Sequence, residues 1–374
     1  YTAITDAAIL LDDPEYSAAV DTLWSNVVNR KIYVTGGLGA RYAGESYGDD
    51  YELPNASYCE TCAAIAGVYW NQRMFLLHGE SKYVDVLERI LYNALIAGIS
   101  LDGTHFFYPN PMIADGVSSF NQGAPGRSEW FGCSCCPSND VRFMSSISGY
   151  VYAVSENAIY ENLYVTNNAD IKVGNAEVRL NQETGYPWDG HVSTRIGLDR
   201  PARFAMRMRI PLWAQGKPLP GDLYSYIDPS SDGIVVTVNG QAVQYQIVDG
   251  YASVERKWRD GDVVGIELPM PVREVVANEK VEADRGFVAI ERGPIVYCFE
   301  EADNGKILEP HPDGSRLGAN AAEILIGKTG PFKPAFDPDL LGGVVTLSDG
   351  RLTAVPYCVW NNRGDGQMTV WLNR

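Results

Sequence analysis

Three of the chain's seven cysteines lie within four positions of one segment, EWFGCSCCPSND, residues 129–140. They are Cys133, Cys135 and Cys136. Thiols placed this close together suit a disulfide, a metal site or a reactive nucleophile. A disulfide between the adjacent pair would be strained, which disfavours a redox pair without excluding it.

The segment YCETCAA, residues 58–64, supplies further ligands, because Glu60 and Cys62 stand two positions apart. Together with Cys135 and Cys136 they offer one carboxylate and three thiolates. That donor set satisfies the tetrahedral coordination that Zn²⁺ prefers. The spacing differs from the paired C-x₂-C elements of a zinc ribbon, so the types of ligand indicate zinc more strongly than their spacing does.

Local alternatives stay open for these ligands. Ser57 and Glu60 fit an S-x-x-E capping box, so Glu60 caps a helix, binds the metal, or does both. Two adjacent thiols reach one metal only from irregular backbone, and we expect Pro137 to interrupt the helix there. Cys59 and Cys133 are expected to be neighbouring or core thiols rather than ligands.

Four acids lie in the loop GGLGARYAGESYGDDYELPN, residues 36–55: Glu45, Asp49, Asp50 and Glu52. A lone carboxylate in such a loop is usually solvated. A cluster of acids near reactive thiols nevertheless suggests acid–base chemistry. The glycines lack the spacing of a dinucleotide-binding fingerprint, so we expect them to allow tight turns.

Glu88 is out of place in the segment KYVDVLERILYNAL, because it falls on the apolar face of a helix beside Val84 and Leu91. A buried acid needs a partner. Two interpretations stay open. Either Glu88 pairs with an arginine, or its carboxylate binds the hydroxyl groups of a ligand.

The elements that must position these residues change character near residue 155. Before that point, apolar residues recur with the period of a helix. Asp13 before Pro14 is an N-cap followed by proline at the first helical position. The loops 31–57 and 100–137 are long enough to carry function. The first predicted helix begins at Pro14. Two more run from Cys59 to Leu77 and from Lys82 to Ile99, and a fourth begins after Pro137.

The second part of the chain has the period of two that is typical of strands. In FAMRMRI, residues 204–210, apolar residues alternate with Ala205, Arg207 and Arg209, which predicts a strand with one buried face. We therefore expect one or two antiparallel β-sandwiches.

Two turns punctuate this part of the chain. Asn239-Gly240 predicts a tight hairpin, and a second turn is expected at Asp260-Gly261. The break between the sheet modules is expected within 270–285. The expected domains are residues 1–153, 154–270 and 271–374, and it stays open whether the last strand returns to the first sandwich.

Composition limits the classes of partner. Hydrophobic residues make up 45% of the chain and charged residues 21%, as in soluble globular proteins. The formal net charge of −17 argues against nucleic acid, and no apolar run is long enough to span a bilayer. Cys298 and Cys358 lie in apolar strand-like runs, so we expect them to be buried.

Several motifs together resemble glycoside hydrolase family 127, which comprises β-L-arabinofuranosidases and related zinc-dependent glycosidases. The resemblance covers essentially the whole chain and implies an (α/α)₆-barrel catalytic domain followed by antiparallel β-sandwich domains. Too few helices precede the sandwiches for a complete barrel, so we expect a barrel portion that is incomplete at its N-terminus. The motifs are TGGLGARYAGESYGDDYELPN, YCETCA, LERILYNA, FFYPNP, WFGCSCCPSN, RIPLWA, PGDLYSYIDP and PYCVWNNRGDGQMTVWL.

The resemblance also implies a role for each candidate residue. One Zn²⁺ would be held by four ligands. Cys135, the first of the adjacent pair, would be the nucleophile of a retaining glycosidase, and Glu45 would be its general acid and base. Glu88 and Tyr108 would contact the sugar, an L-arabinofuranose or a related residue of plant-type glycans. The implied zinc ligands are Glu60, Cys62, Cys135 and Cys136.

An alternative function, possible partner chains and the cellular compartment remain to be considered beside the glycosidase interpretation. The alternative function is a zinc-stabilised carbohydrate-binding or scaffold protein without catalysis. The missing barrel half would come from a separate chain or has been lost, and a homodimer stays open. We expect the bacterial cytoplasm, with the periplasm as the alternative.

Overall fold

A computed structural model describes residues 1–230, 233–310 and 322–374. Its helical part comes first and agrees with the change of period near residue 155. The α-helix Ser81–Arg89 continues as a π-helix, Ile90–Leu95, and a 3₁₀ turn, Ile96–Gly98. The helix predicted over this segment is therefore confirmed, but its type changes along its length. The α-helices are α1 (Thr2–Leu11), α2 (Pro14–Arg30), α3 (Thr61–His78), α4 (Ser81–Arg89), α5 (Cys135–Met144) and α6 (Glu301–Asn304).

The starts of two helices test the capping predictions. The Asp13 carboxylate accepts hydrogen bonds from the backbone N–H groups of Glu15 and Tyr16, which confirms the N-cap of α2. Glu60 occupies the N-cap position of α3, but its side chain makes no capping hydrogen bond. The capping-box prediction is therefore wrong, and the Glu60 carboxylate is available for another role.

The start of α5 corrects a second prediction. The helix begins at Cys135, before Pro137, so both adjacent cysteines lie in its first turn rather than in irregular backbone. Proline is tolerated there because the first N–H groups of a helix have no intrahelical acceptor. Pro137 therefore helps to start this helix instead of interrupting it.

The rest of the regular secondary structure in the described residues consists mainly of strands. Through the middle of the chain they are β1 (Ile113–Asp115), β2 (Tyr152–Val154), β3 (Ala158–Glu161), β4 (Asn167–Val173), β5 (Ala176–Thr184), β6 (His191–Leu198), β7 (Ala202–Arg209), β8 (Tyr224–Tyr226), β9 (Val235–Val238), β10 (Gln241–Ala242), β11 (Gln246–Val248), β12 (Tyr251–Trp258) and β13 (Val263–Glu267). Towards the C-terminus they are β14 (Val272–Ala277), β15 (Phe287–Arg292), β16 (Ile295–Glu300), β17 (Leu308–Pro310), β18 (Ala322–Ile324), β19 (Lys333–Phe336), β20 (Val345–Ser348), β21 (Thr353–Pro356), β22 (Gln367–Thr369) and β23 (Trp371–Asn373).

Two sheets form the middle part of the chain. One has the order β10-β9-β13-β6-β5-β4, and the other has the order β11-β12-β7-β3-β2. Pairing is antiparallel except between β3 and β7, which run parallel. Asn239 and Gly240 both have positive φ in the hairpin between β9 and β10, as predicted. The turn at Asp260-Gly261 instead carries the chain from β12 in one sheet to β13 in the other.

A third, ten-stranded sheet occupies the C-terminal part. Most of its strands follow β13 in the chain, and the first of these is β14. The last strand, β23, pairs with β15 of the same sheet and does not return to the first sandwich. Instead, β8 and β1 come from earlier parts of the chain to pair with β14 and β22. The sheet therefore fixes the loop that contains β1 against the C-terminal part.

Strand β7 departs from the predicted alternation. Its apolar residues are buried as expected, but Arg209 on the opposite face is fully buried as well. Its guanidinium donates to Asp85 and Glu88 of α4. A strand face that packs against a helix is not a solvent face, and the acids of that helix supply the counter-charges.

None of the helices in the described ranges is long and apolar enough to cross a membrane.

Candidate metal centre and its acidic neighbour

Four ligand-capable side chains from two distant segments meet in the structure: Glu60, Cys62, Cys135 and Cys136. One ligand atom from each lies within 4.8 Å of the corresponding atom of every other. We call this set the Glu-Cys₃ cluster. The residues predicted as metal ligands are therefore brought together.

Three separations within the cluster fit tetrahedral coordination. The sulfur atoms of Cys135 and Cys136 are 3.8 Å apart, and they lie 3.7 Å and 3.6 Å from Glu60 Oε1. Thiolates about 2.3 Å from a tetrahedral Zn²⁺ would be about 3.8 Å from each other and about 3.6 Å from a carboxylate ligand. The two sulfurs are also much farther apart than the roughly 2.05 Å of a disulfide bond. The cluster can therefore hold a metal ion.

Backbone contacts hold the two ends of the cluster in place. Glu60 forms an isolated β-bridge with Pro109, and the N–H of Thr61 donates to the carbonyl of Tyr108 at 2.9 Å. The start of α3 is thereby tied to the segment that carries Tyr108. Helix α3 packs against α5. The two ligand pairs thus open two neighbouring helices, so rigid elements rather than free loops set their spacing.

Burial and hydrogen bonding shift the pKa values of the cluster. Burial raises the pKa of the Glu60 carboxyl, and it raises the pKa of the Cys135 thiol to about 11. A hydrogen bond from the Cys136 thiol lowers the pKa of Cys62 and raises that of Cys136. Without a cation, the cluster therefore holds protons at neutral pH, and a bound cation would favour the thiolates.

Tyr108 lies directly beside the cluster. Its hydroxyl oxygen is 3.1 Å from the sulfur of Cys135, and its ring packs edge-on against Phe131. Cys135 is half-buried, whereas Cys136 is completely buried. Cys135 is therefore the more accessible sulfur of the adjacent pair, and Tyr108 is its hydroxyl neighbour.

Glu45 reaches the same region from the loop before α3. Gly44 and Glu45 both have positive φ, 70° and 48°, in a tight turn that leaves the Glu45 side chain exposed. The Tyr58 hydroxyl donates to Glu45 Oε1 at 2.8 Å. The Tyr58 ring in turn lies 6.2 Å from the ring of Tyr108. Two tyrosines therefore connect the candidate acid to the candidate nucleophile, Cys135.

Known proteins match this chain over nearly its whole length. Family models match three consecutive parts: the GH127 β-L-arabinofuranosidase catalytic domain over residues 2–149, the GH127 middle domain over 158–270, and the family 127 C-terminal domain over 272–373. The chain belongs to glycoside hydrolase family 127.

Its relatives within family 127 are longer proteins. A non-reducing end β-L-arabinofuranosidase of Bifidobacterium longum subsp. longum is 33% identical, over 100% of this chain and 58% of the relative. A solved GH127 β-arabinofuranosidase is 45% identical, with a TM-score of 0.89, over 100% of this chain and 58% of that one. The GH127 β-L-arabinofuranosidase of Geobacillus stearothermophilus T6 is 36% identical, with a TM-score of 0.86, over 100% and 59%. The chain thus spans a little over half the length of these relatives.

The other three acids of the loop 36–55 form ion pairs in this family 127 chain. Asp50 pairs with Arg30 and Lys31, which hold the pKa of its carboxyl well below the usual range. Arg41 likewise lowers the pKa of Glu52 and also pairs with Asp49. The salt bridges thus favour the ionised form of Asp50 and Glu52, whereas Glu45 forms no ion pair within the described residues, which leaves Glu45 as the candidate acid.

Glu88 has buried protein partners. It is 1% exposed, accepts a hydrogen bond from the Tyr186 hydroxyl at 2.6 Å, and forms an ion pair with Arg209. Of the two interpretations left open by the sequence, the structure shows the pairing with an arginine. The predicted contact between Glu88 and a sugar stays a prediction, and the bonds from Tyr186 and Arg209 both end on Glu88 Oε1.

The remaining cysteines lie outside the Glu-Cys₃ cluster. Cys59 is buried beside Gly37 with a positive φ of 38°, and Cys298 and Cys358 are buried as predicted. Cys133 is exposed, and its sulfur is 4.0 Å from the Tyr108 hydroxyl.

The sequence did not reveal two further neighbours of the site. Tyr58 bonds to Glu45, and the Asn139 side chain bonds to Cys62, which lowers the pKa of that thiol. The one available signal was position: Asn139 follows the adjacent cysteines by one helical turn, and Tyr58 directly precedes the first ligand segment. Neither spacing by itself indicates which side chain each residue contacts.

Proposed function

We propose that this chain is the metal-binding part of a retaining glycoside hydrolase that releases L-arabinofuranose, or a related sugar, from plant-type glycans. The observation that carries the proposal is the Glu-Cys₃ cluster beside an exposed acid, Glu45, which is not held in an ion pair within the described residues. The relatives are β-L-arabinofuranosidases, which supports the choice of sugar.

Zn²⁺ is the proposed ion. Three sulfur ligands favour a borderline-soft metal over Ca²⁺ or Mg²⁺, which prefer oxygen. When bound, the ion would keep its sulfur ligands deprotonated. Four anionic ligands exceed the charge of one Zn²⁺ by about two units, and we expect that excess to leave the nucleophilic sulfur reactive.

Cys135 acts as the nucleophile and Glu45 as the general acid. The Cys135 sulfur bonds to the anomeric carbon while the bond from that carbon to the leaving oxygen breaks. Glu45 gives its proton to the departing oxygen. The product of this step is a sugar joined to Cys135 through a carbon–sulfur bond.

Hydrolysis of that bond completes the cycle. Glu45, now a carboxylate, takes a proton from a water molecule whose oxygen bonds to the anomeric carbon. The carbon–sulfur bond breaks, which restores the Cys135 thiolate and the protonated Glu45. Two successive displacements at one carbon give net retention of configuration.

The assignments follow from accessibility and charge. Cys135 is preferred to Cys136 because it is only half-buried and lies against the Tyr108 hydroxyl. We therefore propose that Tyr108 contacts both the nucleophile and a bound sugar. Glu45 is preferred to Asp50 because salt bridges hold the Asp50 carboxyl in its ionised form.

The helical part is proposed to be one portion of an (α/α)₆ barrel. The matched region covers 58% of the longer relatives. We propose that residues equivalent to the rest of the relatives' helical region complete the barrel, in the same polypeptide or in a separate chain. The completed barrel would supply the other wall of the sugar pocket.

An assay on metal-loaded protein tests the function. A panel of 4-nitrophenyl furanosides and pyranosides is offered, with the helical segment of a relative supplied where the chain alone is inactive. We expect turnover of an arabinofuranoside, loss of turnover in Cys135→Ser, and a loss of about 10²–10⁴-fold in Glu45→Gln. Cys133→Ser is the matched control, because that exposed thiol lies outside the cluster, and it should retain turnover.

The other outcomes separate the alternatives. A non-catalytic scaffold would lose stability on chelation of the metal but would turn over no glycoside. A redox protein would form a reversible disulfide between Cys135 and Cys136. Near-normal hydrolysis by Cys135→Ser would refute the nucleophile assignment.

A further inference from the structure

Tyr58 has a contact that the proposed reaction does not yet use. We infer that Tyr58 is a positioning residue, whose hydroxyl orients the Glu45 carboxylate for proton transfer. The inference rests on the proposed glycosidase function and goes beyond it, because it names what sets the direction in which Glu45 delivers its proton.

The contact joins a buried group to an exposed one. Tyr58 is 5% exposed, and its hydroxyl donates to Glu45 Oε1 at 2.8 Å. Glu45 itself is exposed on a turn of positive φ, and within the described residues Tyr58 is the hydrogen-bond partner of its carboxylate. An exposed glutamate would otherwise sample several rotamers, so the phenol selects one of them.

The Tyr58 ring is itself held firmly. The ring of Tyr42 packs edge-on against it at 5.0 Å, and the ring of Tyr108 lies 6.2 Å away on the side of the cluster. The Tyr58 carbonyl accepts a hydrogen bond from the N–H of Asn110 at 3.2 Å. The position of the hydroxyl is therefore fixed by packing and by the backbone, as a positioning residue requires.

The hydrogen bond from Tyr58 gives the two carboxyl oxygens of Glu45 different roles. Oε1 accepts from Tyr58, so Oε2 is the oxygen left to carry the proton that goes to the leaving group. Once Glu45 is a carboxylate, the bond from Tyr58 becomes charge-assisted and stronger. Tyr58 would then keep the carboxylate in place while it takes a proton from water.

Removal of the hydroxyl should therefore weaken acid catalysis selectively. In Tyr58→Phe the ring stays, but the Glu45 carboxylate is free to turn away. We expect kcat on a glycoside with a poor leaving group to fall about 10- to 100-fold, within the range that general acid catalysis supplies. A 2,4-dinitrophenyl leaving group needs little proton donation, so its hydrolysis should change only a few-fold.

The experiment measures kcat and kcat/KM of metal-loaded protein on aryl arabinofuranosides of graded leaving-group pKa. We expect a steeper dependence of rate on leaving-group pKa in Tyr58→Phe than in the wild type. Tyr42→Phe is the matched control, because it removes a hydroxyl from the adjacent ring. The Tyr42 hydroxyl donates to the Ser57 carbonyl at 3.4 Å rather than to Glu45. Its leaving-group dependence should match that of the wild type.

Each contrary outcome has a separate meaning. An unchanged dependence in Tyr58→Phe overturns the inference, as does an equal loss on all leaving groups accompanied by a lower melting temperature. Metal content and melting temperature, measured on both variants, separate a folding defect from a catalytic one. Absence of turnover by the wild type on every glycoside overturns the proposed function, and the inference with it.

Discussion

The substitution Arg209→Met tests the ion cluster that joins the middle sheets to the helical part. Arg209 is fully buried on β7. Nη1 donates to Asp85 Oδ1 at 2.7 Å, Nη2 donates to Glu88, and Nε donates to the Asn162 carbonyl at 2.7 Å. Methionine replaces part of the volume but leaves two buried carboxylates without a cation.

The expected loss of stability follows from the two buried carboxylates that remain without a counter-charge. Removal of one partner from a buried ion pair costs about 3–5 kcal/mol of the free energy of unfolding. Burial already raises the pKa of Asp85 to about 7. In the variant the Asp85 carboxyl loses the cation that stabilises its charge, so the loss of stability should be larger at alkaline pH than at acidic pH.

Urea unfolding followed by tryptophan fluorescence measures the difference. Arg203→Met is the matched control on the same strand, because Arg203 pairs with Glu255 on the surface at 3.0 Å, with side chains 68% and 57% exposed. An exposed pair contributes at most about 1 kcal/mol. If Arg209→Met cost no more than this control, the interpretation of Arg209, and with it that of Glu88 as a structural partner, would be refuted.

Three further predictions can be checked in the same unfolding and kinetic assays. Burial raises the pKa of Glu161 to about 7, so its contribution to stability is complete below the unfolded pKa of about 4.3 and is lost as the pH rises through 7. Glu161→Gln should therefore flatten the fall in unfolding free energy over that interval by about 4 kcal/mol, and an unchanged profile would contradict the assignment. Gly36→Ala should destabilise the protein more than Gly79→Ala: both glycines have positive φ, but an added Cβ at Gly36 would lie 2.8 Å from the backbone of Ile90, whereas at Gly79 it meets no atom within 4 Å. Glu88→Gln should lower stability and leave the KM for aryl glycosides unchanged, whereas a raised KM at unchanged stability would favour the sugar contact.

The donor set of the candidate metal centre could be predicted because it depends on residue type. One carboxylate and three thiols are a restricted donor set, and the motifs around Glu60 and Cys135 identified both halves of it. The N-cap at Asp13 and the hairpin at Asn239-Gly240 were predictable for the same reason, since each depends on local backbone chemistry. Local rules therefore predicted local features.

The failures arise where a distant element supplies the partner. Alternation on β7 placed Arg209 on a solvent face, and only the packing of α4 against that face buries it. The capping box at Glu60 failed because the carboxylate faces thiols from α5 instead of its own helix. Tyr58 could not be assigned to Glu45, because their contact depends on how the loop before α3 folds back. No spacing within the sequence encodes such contacts.

The most direct test of the central claim is X-ray absorption at the zinc edge, combined with metal analysis of the purified protein. We expect about one zinc per chain, with three sulfur ligands near 2.3 Å and one lighter ligand near 2.0 Å. Cys62→Ser should lower the sulfur count to two or abolish binding. Protein without stoichiometric zinc after loading, or zinc surrounded only by oxygen and nitrogen, would contradict the proposal that the Glu-Cys₃ cluster is the metal centre of this chain.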